Sequence, residues 1–387
     1  MAIGHAYPLQ NWPSVRRFLP FDLDVLAVES QALERRRGVA NGECLVRTLL
    51  LCGLPKATLE SVSRSAMDMN LASLSVVALF KRLRKSETLL QRIFVHLLGH
   101  VIGPEARYAG YRLVAADATS LSGPGSKGTD QRLHVLYDLG KGLPVSVDLT
   151  DAHGAETLAR HPLEPGDLVL TDRGYGWEAS LLCPLRAGAH FLGRIEFDCL
   201  PLETDLGERI LRAQAEGCVP ESGPVDFCVY LPHWPAPLRA IGERIPGEGR
   251  IAWYLTDLGP DELPAQDAYM LYRKRWQVEL FFKRLKSLLD LDELPSRDGP
   301  TARPWIWAKL TLCALVVLIG HERFSPLDRP TAKTEPMEGL STFPNRSNVG
   351  PAPATAATTQ ARKAQKKRPP PKTQQTALPL AAVGALS

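Results

Sequence analysis

From Asp22 to about Leu98 the apolar residues recur at helix-face spacing, with Val46, Leu49, Leu50 and Leu54 the clearest set. Leu59 to Ala66 and Ser73 to Arg84 predict two short helices around a polar break at Asp68-Met69-Asn70. Ser73 and Ser75 are candidate N-caps of the second, which ends in the basic run Lys81-Arg82-Leu83-Arg84-Lys85. A short helix, a turn and a helix with a basic end suit a helix-turn-helix unit, and a bundle with a solvated basic face explains the pattern equally well.

Between Tyr111 and Arg194 the period changes to that of strands. Arg112-Leu-Val-Ala-Ala-Asp117 is an apolar run stopping at a carboxylate. Leu133 to Leu139 and Leu143 to Leu149 predict two strands joined by a tight Gly140-Lys-Gly142 turn. After a predicted helix around Gly154 to Arg160, Asp167-Leu-Val-Leu-Thr-Asp172 repeats the first design, and His190 to Arg194 predicts a fifth strand. Three meandering strands followed by alternating helix and strand predict an α/β layout with a mixed sheet. Residues 195–254 are rich in Pro and Gly with short alternating stretches, as expected of a β-rich insertion. Helical period resumes from Pro264 to Leu289 and again from Trp305 to Ile319. Beyond Ser325 the periodicity is lost in Pro, Thr, Ala, Gln and Lys, a composition expected to stay disordered. The chain therefore divides into a helical N-terminal part (1–107), an α/β part (108–325) and a basic tail (326–387).

Composition changes this picture little. The net charge of +4 does not announce a nucleic-acid binder by itself, so the clustering of the basic residues matters more. Seven cysteines without a CxxC pair argue for reduced, mostly buried thiols and against a zinc site or a disulfide framework. Met1 to Arg17 lacks the apolar core of a signal peptide. Leu310 to Gly320 falls short of the about 20 residues that span a bilayer and reads as a buried core helix. A cytoplasmic protein without a membrane partner is expected.

Candidate chemistry centres on carboxylates. Two neighbouring strands that end in Asp117 and Asp172 bring two oxygen donors to one sheet edge, and Glu279 lies on a helix able to cover that edge. Hard divalent cations take such ligands, and two-metal sites clamp the attacking and leaving oxygens of a phosphodiester. Taken singly each residue is weak, because a strand-end aspartate is more often a turn former or helix cap. Tyr272, Arg275, Glu279 and Lys286 are spaced to share one helical stripe, with two cations and a phenol flanking the carboxylate. A salt-bridged amphipathic helix pairing Arg275 with Glu279 explains the charges but not the two preceding aspartates. Trp276 is assigned to the core, as are Trp253 and Trp234, although the last two could stack on an extruded base. Lys127, in the Gly-rich loop after Asp117, and Arg194, closing the fifth strand, are further cations near this edge. His134 and His153 are expected to be structural.

Tyr272-x2-Arg275-x3-Glu279-x6-Lys286, together with Asp117-Ala-Thr119 and Asp172-Arg-Gly-Tyr175 in order, resembles the DDE transposases of bacterial insertion sequences over about Arg112 to Phe324. The resemblance implies an RNase H-like core interrupted by the β-rich insertion, with Asp117 bridging two Mg2+ ions that Asp172 and Glu279 each complete, and Mn2+ able to substitute. It also implies that Tyr272, Arg275 and Lys286 contact the transposon end, and it makes Lys127 and Arg194 candidate DNA contacts. The partners implied are double-stranded DNA, as terminal inverted repeats and as target, and a second copy of the chain in a homodimer. The activity implied is metal-dependent cleavage at the element ends and strand transfer. A nuclease of the same fold without strand transfer, or an inert DNA-binding derivative, is the alternative.

Overall fold

A computed structural model describes residues 9, 11–100, 105–245, 247 and 249–323, and the tail expected to be disordered lies outside them. The N-terminal part is helical, with α1 (Trp12–Arg16), α2 (Leu23–Glu29), α3 (Gly42–Cys52), α4 (Leu59–Asp68), α5 (Val76–Leu83) and α6 (Glu87–Leu98). Short polar side chains start them. Asp22 accepts from the Val25 N–H, Asn41 from Cys44 and Ser75 from Ala78, while Thr58 and Ser61 form a reciprocal capping box. Each satisfies a donor that a helix start leaves open. Ser75 caps α5, and Ser73 does not.

The basic end of α5 is largely engaged within the protein. Arg82 donates to the carbonyls of Arg35 (3.0 Å) and Arg37 (3.1 Å), Lys85 pairs with Glu34 (2.8 Å) and Arg84 with Asp298 (3.1 Å). These contacts fasten the end of α5 to the Arg35–Arg37 turn and to the chain that follows the second helical region.

Strands β1 (Arg107–Tyr108), β2 (Tyr111–Leu121), β3 (Gln131–Asp138), β4 (Leu143–Asp151), β5 (Asp167–Thr171), β6 (His190–Ile195), β7 (Val225–Val229), β8 (Leu238–Arg244) and β9 (Ile251–Thr256) form one mixed sheet. Its order is β4-β3-β2-β5-β6-β9-β8-β7, with β1 paired to β2. β2, β5 and β6 run parallel to one another and the remaining pairs are antiparallel. Residues 195–254 are thus β-rich as expected, and their strands extend the same sheet through β9 on β6. β2 does not stop at Asp117. It continues to Leu121 because β3 stays hydrogen-bonded alongside, pairing Asp117 with Val135 and Leu121 with Gln131. The helix expected at 154–160 shrinks to a single 3-10 turn, Leu158–Arg160, capped by Thr157.

Helix α7 (Glu178–Ala187) links β5 to β6 and ends at Gly188, whose left-handed φ of 69° suits a residue without a Cβ. A short α8 (Arg212–Gly217) precedes β7. The second helical region comprises α9 (Ala265–Arg273) and α10 (Trp276–Leu289), interrupted at Lys274-Arg275, followed by α11 (Gly299–Arg323). α11 begins before the expected Trp305 and is long and apolar enough to cross a membrane, yet it is mostly buried against α6 and α3. It is the core helix its composition suggested.

Strand alternation splits the apolar residues into two cores. Leu113, Ala115, Val135 and Leu170 join the helical core with α3, α6, α10 and α11. Val114, Ala116, Leu136 and Val169 join the opposite core with Tyr175 and Phe191. Asp117 has the parity of Leu113 and Ala115 and so faces the α10 side. All seven cysteines are free; Cys52 is buried, but Cys199, Cys218 and Cys228 are exposed, contrary to the burial expected of most.

At the end of α3 a Cβ on Gly53 would lie 2.6 Å from the Ala308 carbonyl oxygen of α11. We expect Gly53→Ala to force these helices apart and to lower the unfolding free energy by about 1–3 kcal/mol, read by chemical denaturation. An unchanged midpoint would contradict this close packing.

Two buried histidines make stability pH-dependent. His134 bonds Thr150 Oγ1 (3.0 Å) and His161 bonds Ser146 Oγ (3.1 Å), and burial pushes both down to about 4. The unfolded chain takes up these protons near the ordinary value of 6.5. Below that pH the unfolded state binds more protons, so this stability is intact above 6.5 and drains away as the pH falls towards about 4. His161→Gln should therefore lose less stability than the wild type between about pH 7 and pH 5 in denaturant titrations. Parallel losses in the two proteins would show that this imidazole is not the cause.

Candidate active site

The parallel register of β2 and β5 sets Ala116 beside Thr171. The next residue of each strand, Asp117 and Asp172, therefore stands at the same level of neighbouring strands. α10 packs against β2 on the face that Asp117 shares and carries Glu279 above it. An open cavity of about 580 Å³ is lined by Asp117, Asp172, Arg275, Glu279, Lys283 and Lys286, among others. Expected Asp117, Asp172, Glu279, Arg275 and Lys286 thus come together.

Arg275 organises the near half of this cavity. Its Nη1 donates to Asp117 Oδ2 at 2.9 Å, its Nη2 to Glu279 Oε1, and its Nε to Tyr272 Oη at 3.2 Å. The guanidinium carbon lies 5.5 Å from the centre of the Tyr272 ring. Only 12% of the Arg275 side chain and 13% of that of Asp117 are exposed, so this is a largely desolvated pair. Burial pushes the Asp117 carboxyl up to about 6; Arg275 pulls it down, while Asp172 and Glu279 push it further up.

Asp172 is held differently. Its Oδ1 accepts from the Gly174 N–H at 3.0 Å, capping the 3-10 turn Arg173–Tyr175. The helix-cap reading that the sequence left open is therefore true of one oxygen, without removing Asp172 from the cavity. Glu156 is a carboxylate that the sequence did not mark. Its Oε1 is 3.4 Å from Arg132 Nη1, and burial followed by the charge of Asp172 raises its pKa. Tyr175 is wholly buried and its hydroxyl has no hydrogen-bond partner, with Asp117 first among the charges around it, then Glu156, Asp172 and the cation Arg132.

The other expected residues are spread more widely. Tyr272 is 8% exposed and packs on Tyr254 at 5.0 Å between ring centres, so it supports Arg275 from beneath. Trp276 corrects the core assignment: it is 60% exposed at the start of α10, whereas Trp253 and Trp234 are buried as expected. The buried face of α10 runs through Val278, Phe281, Phe282 and Leu285, and Trp276, two residues before Val278, stands on the other side of the helix, where it lines a neighbouring cavity with Arg194 and Arg250. That cavity also reaches Arg275 and Glu279, which places Arg194 beside the site. Lys127 is exposed in the loop after β2, a loop that Arg297 ties down through the Gly125 carbonyl, and it does not line the carboxylate cavity. Lys283 was missed, although its i+4 position after Glu279 could have flagged it. No sequence spacing pointed to Glu156, because the link to Asp172 is tertiary.

Among the described residues, no three His, Cys, Asp or Glu side chains converge closely enough to hold a metal ion as they stand. The donor chemistry nevertheless fits one: the acidic side chains of the cavity supply carboxylate oxygens, the donors hard divalent cations take, and a buried phenol is left unpartnered beside them.

Residues 108–316 match the profile of a family described as the transposase DDE domain. The chain is 30% identical over 351 residues to the transposase for insertion sequence element IS421 of Escherichia coli, covering 80% of this chain and 94% of that protein. It is 30% identical over 350 residues, with the same coverage, to the InsL protein of insertion sequence element IS186A from Escherichia coli strain K12. The y4zB protein of Sinorhizobium fredii is 26% identical over 195 residues, 48% of this chain and 52% of its own length.

Removing Arg275 leaves Asp117 and Glu279 facing each other without a cation. We expect Arg275→Gln to lower the unfolding free energy by about 3 kcal/mol in metal-free buffer, and much less in an Asp117→Asn background. Equal losses in both backgrounds, measured as a double-mutant cycle, would mean that the pair is not coupled.

Proposed function

The chain belongs to the DDE transposase family of insertion sequences, and from that membership we propose that it cleaves DNA at the ends of its element and transfers the freed strands into target DNA. The observation that carries this reading is the parallel register that sets Asp117 beside Asp172 under the helix bearing Glu279. We assign these three carboxylates the catalytic roles.

DDE transposases generally work with a divalent metal. Here Mg2+, with Mn2+ able to substitute, would be held by Asp117 in common and by Asp172 and Glu279 one each. When bound, such ions lower the pKa of an attacking water and neutralise charge on the phosphodiester. The protein's own groups do the rest. Arg275 is placed to exchange its carboxylate partners for a DNA phosphate, whose two non-bridging oxygens likewise accept a pair of guanidinium N–H bonds. Lys283 and Lys286 on the next turns of α10 supply positive charge along the path of the backbone, and Arg194 extends it past Trp276. Tyr272 holds the Arg275 side chain against the site. We take the strands from β2 to β6 as an RNase H-like core, a reading supported by the antiparallel β4-β3-β2 meander beside parallel β5 and β6. The N-terminal helices are proposed as the DNA-binding part, and a homodimer as the form that joins two element ends.

The decisive assay is cleavage of a labelled duplex carrying the element's own ends. The wild type should nick at the element boundary only with Mg2+ or Mn2+, and Asp172→Ala should lower the rate by about 10³-fold or more. Specific binding of the ends with no cleavage in either protein would leave a DNA-binding relic in place of an enzyme.

A further inference from the structure

The cations in the site are unevenly distributed. Arg275 satisfies Asp117 and Glu279 together, so a guanidinium already fills the space between those two carboxylates. Among the described residues no lysine, arginine or histidine bonds Asp172, whose recorded partner is the Gly174 N–H. A buried or half-buried carboxylate without a cation is costly, and a second one beside it raises that cost.

A second carboxylate does lie beside it. A Cβ added to Gly174 would sit 1.7 Å from Glu156 Oε2 and 3.3 Å from Asp172 Oδ1, so both carboxylates flank the same point. Glycine at 174 is what lets Glu156 approach. Arg132 reaches only the other oxygen, Glu156 Oε1, at 3.4 Å, near the limit of a hydrogen bond. The Tyr175 hydroxyl, wholly buried and without a partner, has Asp172 and Glu156 among its neighbours and can donate to a carboxylate or to an ion-bound water. Two carboxylates plus water are a usual complement for Mg2+ or Mn2+.

Resting on the catalytic reading above, we infer that Glu156 and Asp172 form the divalent-cation position that is open in the DNA-free protein, while the Asp117–Glu279 position stays closed by Arg275. Glu156 is then a fourth carboxylate of the site, and the two ions enter in order. The first binds beside Asp172 while Arg275 stays in place. The second binds only after a DNA phosphate has drawn Arg275 away from Asp117 and Glu279, which also frees Asp117 to join both ions. A purely structural Glu156, serving Arg132 alone, has no influence on metal affinity.

The test is direct Mn2+ binding to the full-length, DNA-free protein, read as loss of the free-ion signal in electron paramagnetic resonance. One ion should bind the wild type. Glu156→Gln should weaken it about tenfold, Glu156→Asp less, and Asp172→Asn at least as much as Glu156→Gln. Glu279→Gln, which leaves both carboxylates of this position in place, should weaken the first ion clearly less than Glu156→Gln does. Gly174→Ala, whose methyl displaces the Glu156 carboxylate, should reproduce the loss and serves as the second variant if Glu156→Gln does not fold. Wild-type affinity in Glu156→Gln and Gly174→Ala, no Mn2+ bound by the wild type, or an equal loss in Glu279→Gln would each overturn the inference. If cleavage still depends on Asp172 while Glu156→Gln binds Mn2+ normally, only this inference falls and the catalytic reading stands.

Discussion

The parallel pairing of β2 with β5, in the register that sets Ala116 against Thr171, is the constraint on which the site depends. A shift by one residue would send Asp172 to the other face of the sheet, because strand side chains alternate. The register is itself held by burial on both faces. Leu113 and Ala115 on β2 and Leu168 and Leu170 on β5 enter one core, and Val114, Ala116 and Val169 enter the other. The apolar residues that lead up to each aspartate are therefore what aligns the two carboxylates.

That alignment concentrates negative charge where water is scarce, and much of the surrounding structure offsets it. Arg275 bridges Asp117 and Glu279 from the interruption between α9 and α10, and the buried Tyr272 phenol supports its other edge. Arg132 reaches Glu156 from β3, and backbone N–H groups serve one oxygen each of Asp117 and Asp172. The compensation is complete on the Asp117–Glu279 side and incomplete beside Asp172. A site arranged in this way favours a cation on one side before the other, and couples the occupancy of the second side to whatever draws Arg275 away.

The helical parts give the sheet its support. α11 fills the space between the N-terminal helices and the sheet with mainly apolar side chains, Thr301, Lys309 and Thr311 being its buried polar exceptions, so one hydrophobic core runs from α3 to β2. The basic end of α5 is fastened into this assembly by Arg82, Arg84 and Lys85. Much of the positive charge that suggested a DNA-reading helix is thus paired within the protein at its surface, with the exposed Arg35–Arg37 turn beside it.

Much of this was legible in the chain itself. Periodicity placed most helices and strands, since alternation and helix-face spacing are local consequences of burying one side of an element. The spacing of Tyr272, Arg275, Glu279 and Lys286 and the two strand-borne aspartates identified the site, because those residues are ordered along short stretches of sequence. What depended on contacts between distant segments was not legible. The continuation of β2 past Asp117 needed β3 as a partner, and the strands after residue 195 needed β6 as an edge to extend. The approach of Glu156 to Asp172 is the sharpest case: it exists only because Gly174 leaves room for a carboxylate from a loop 16 residues earlier in the chain than Asp172. Sequence determined which residues could carry charge to the sheet edge, and tertiary packing decided which of those charges meet, because proximity across the fold is set by close packing and not by spacing along the chain.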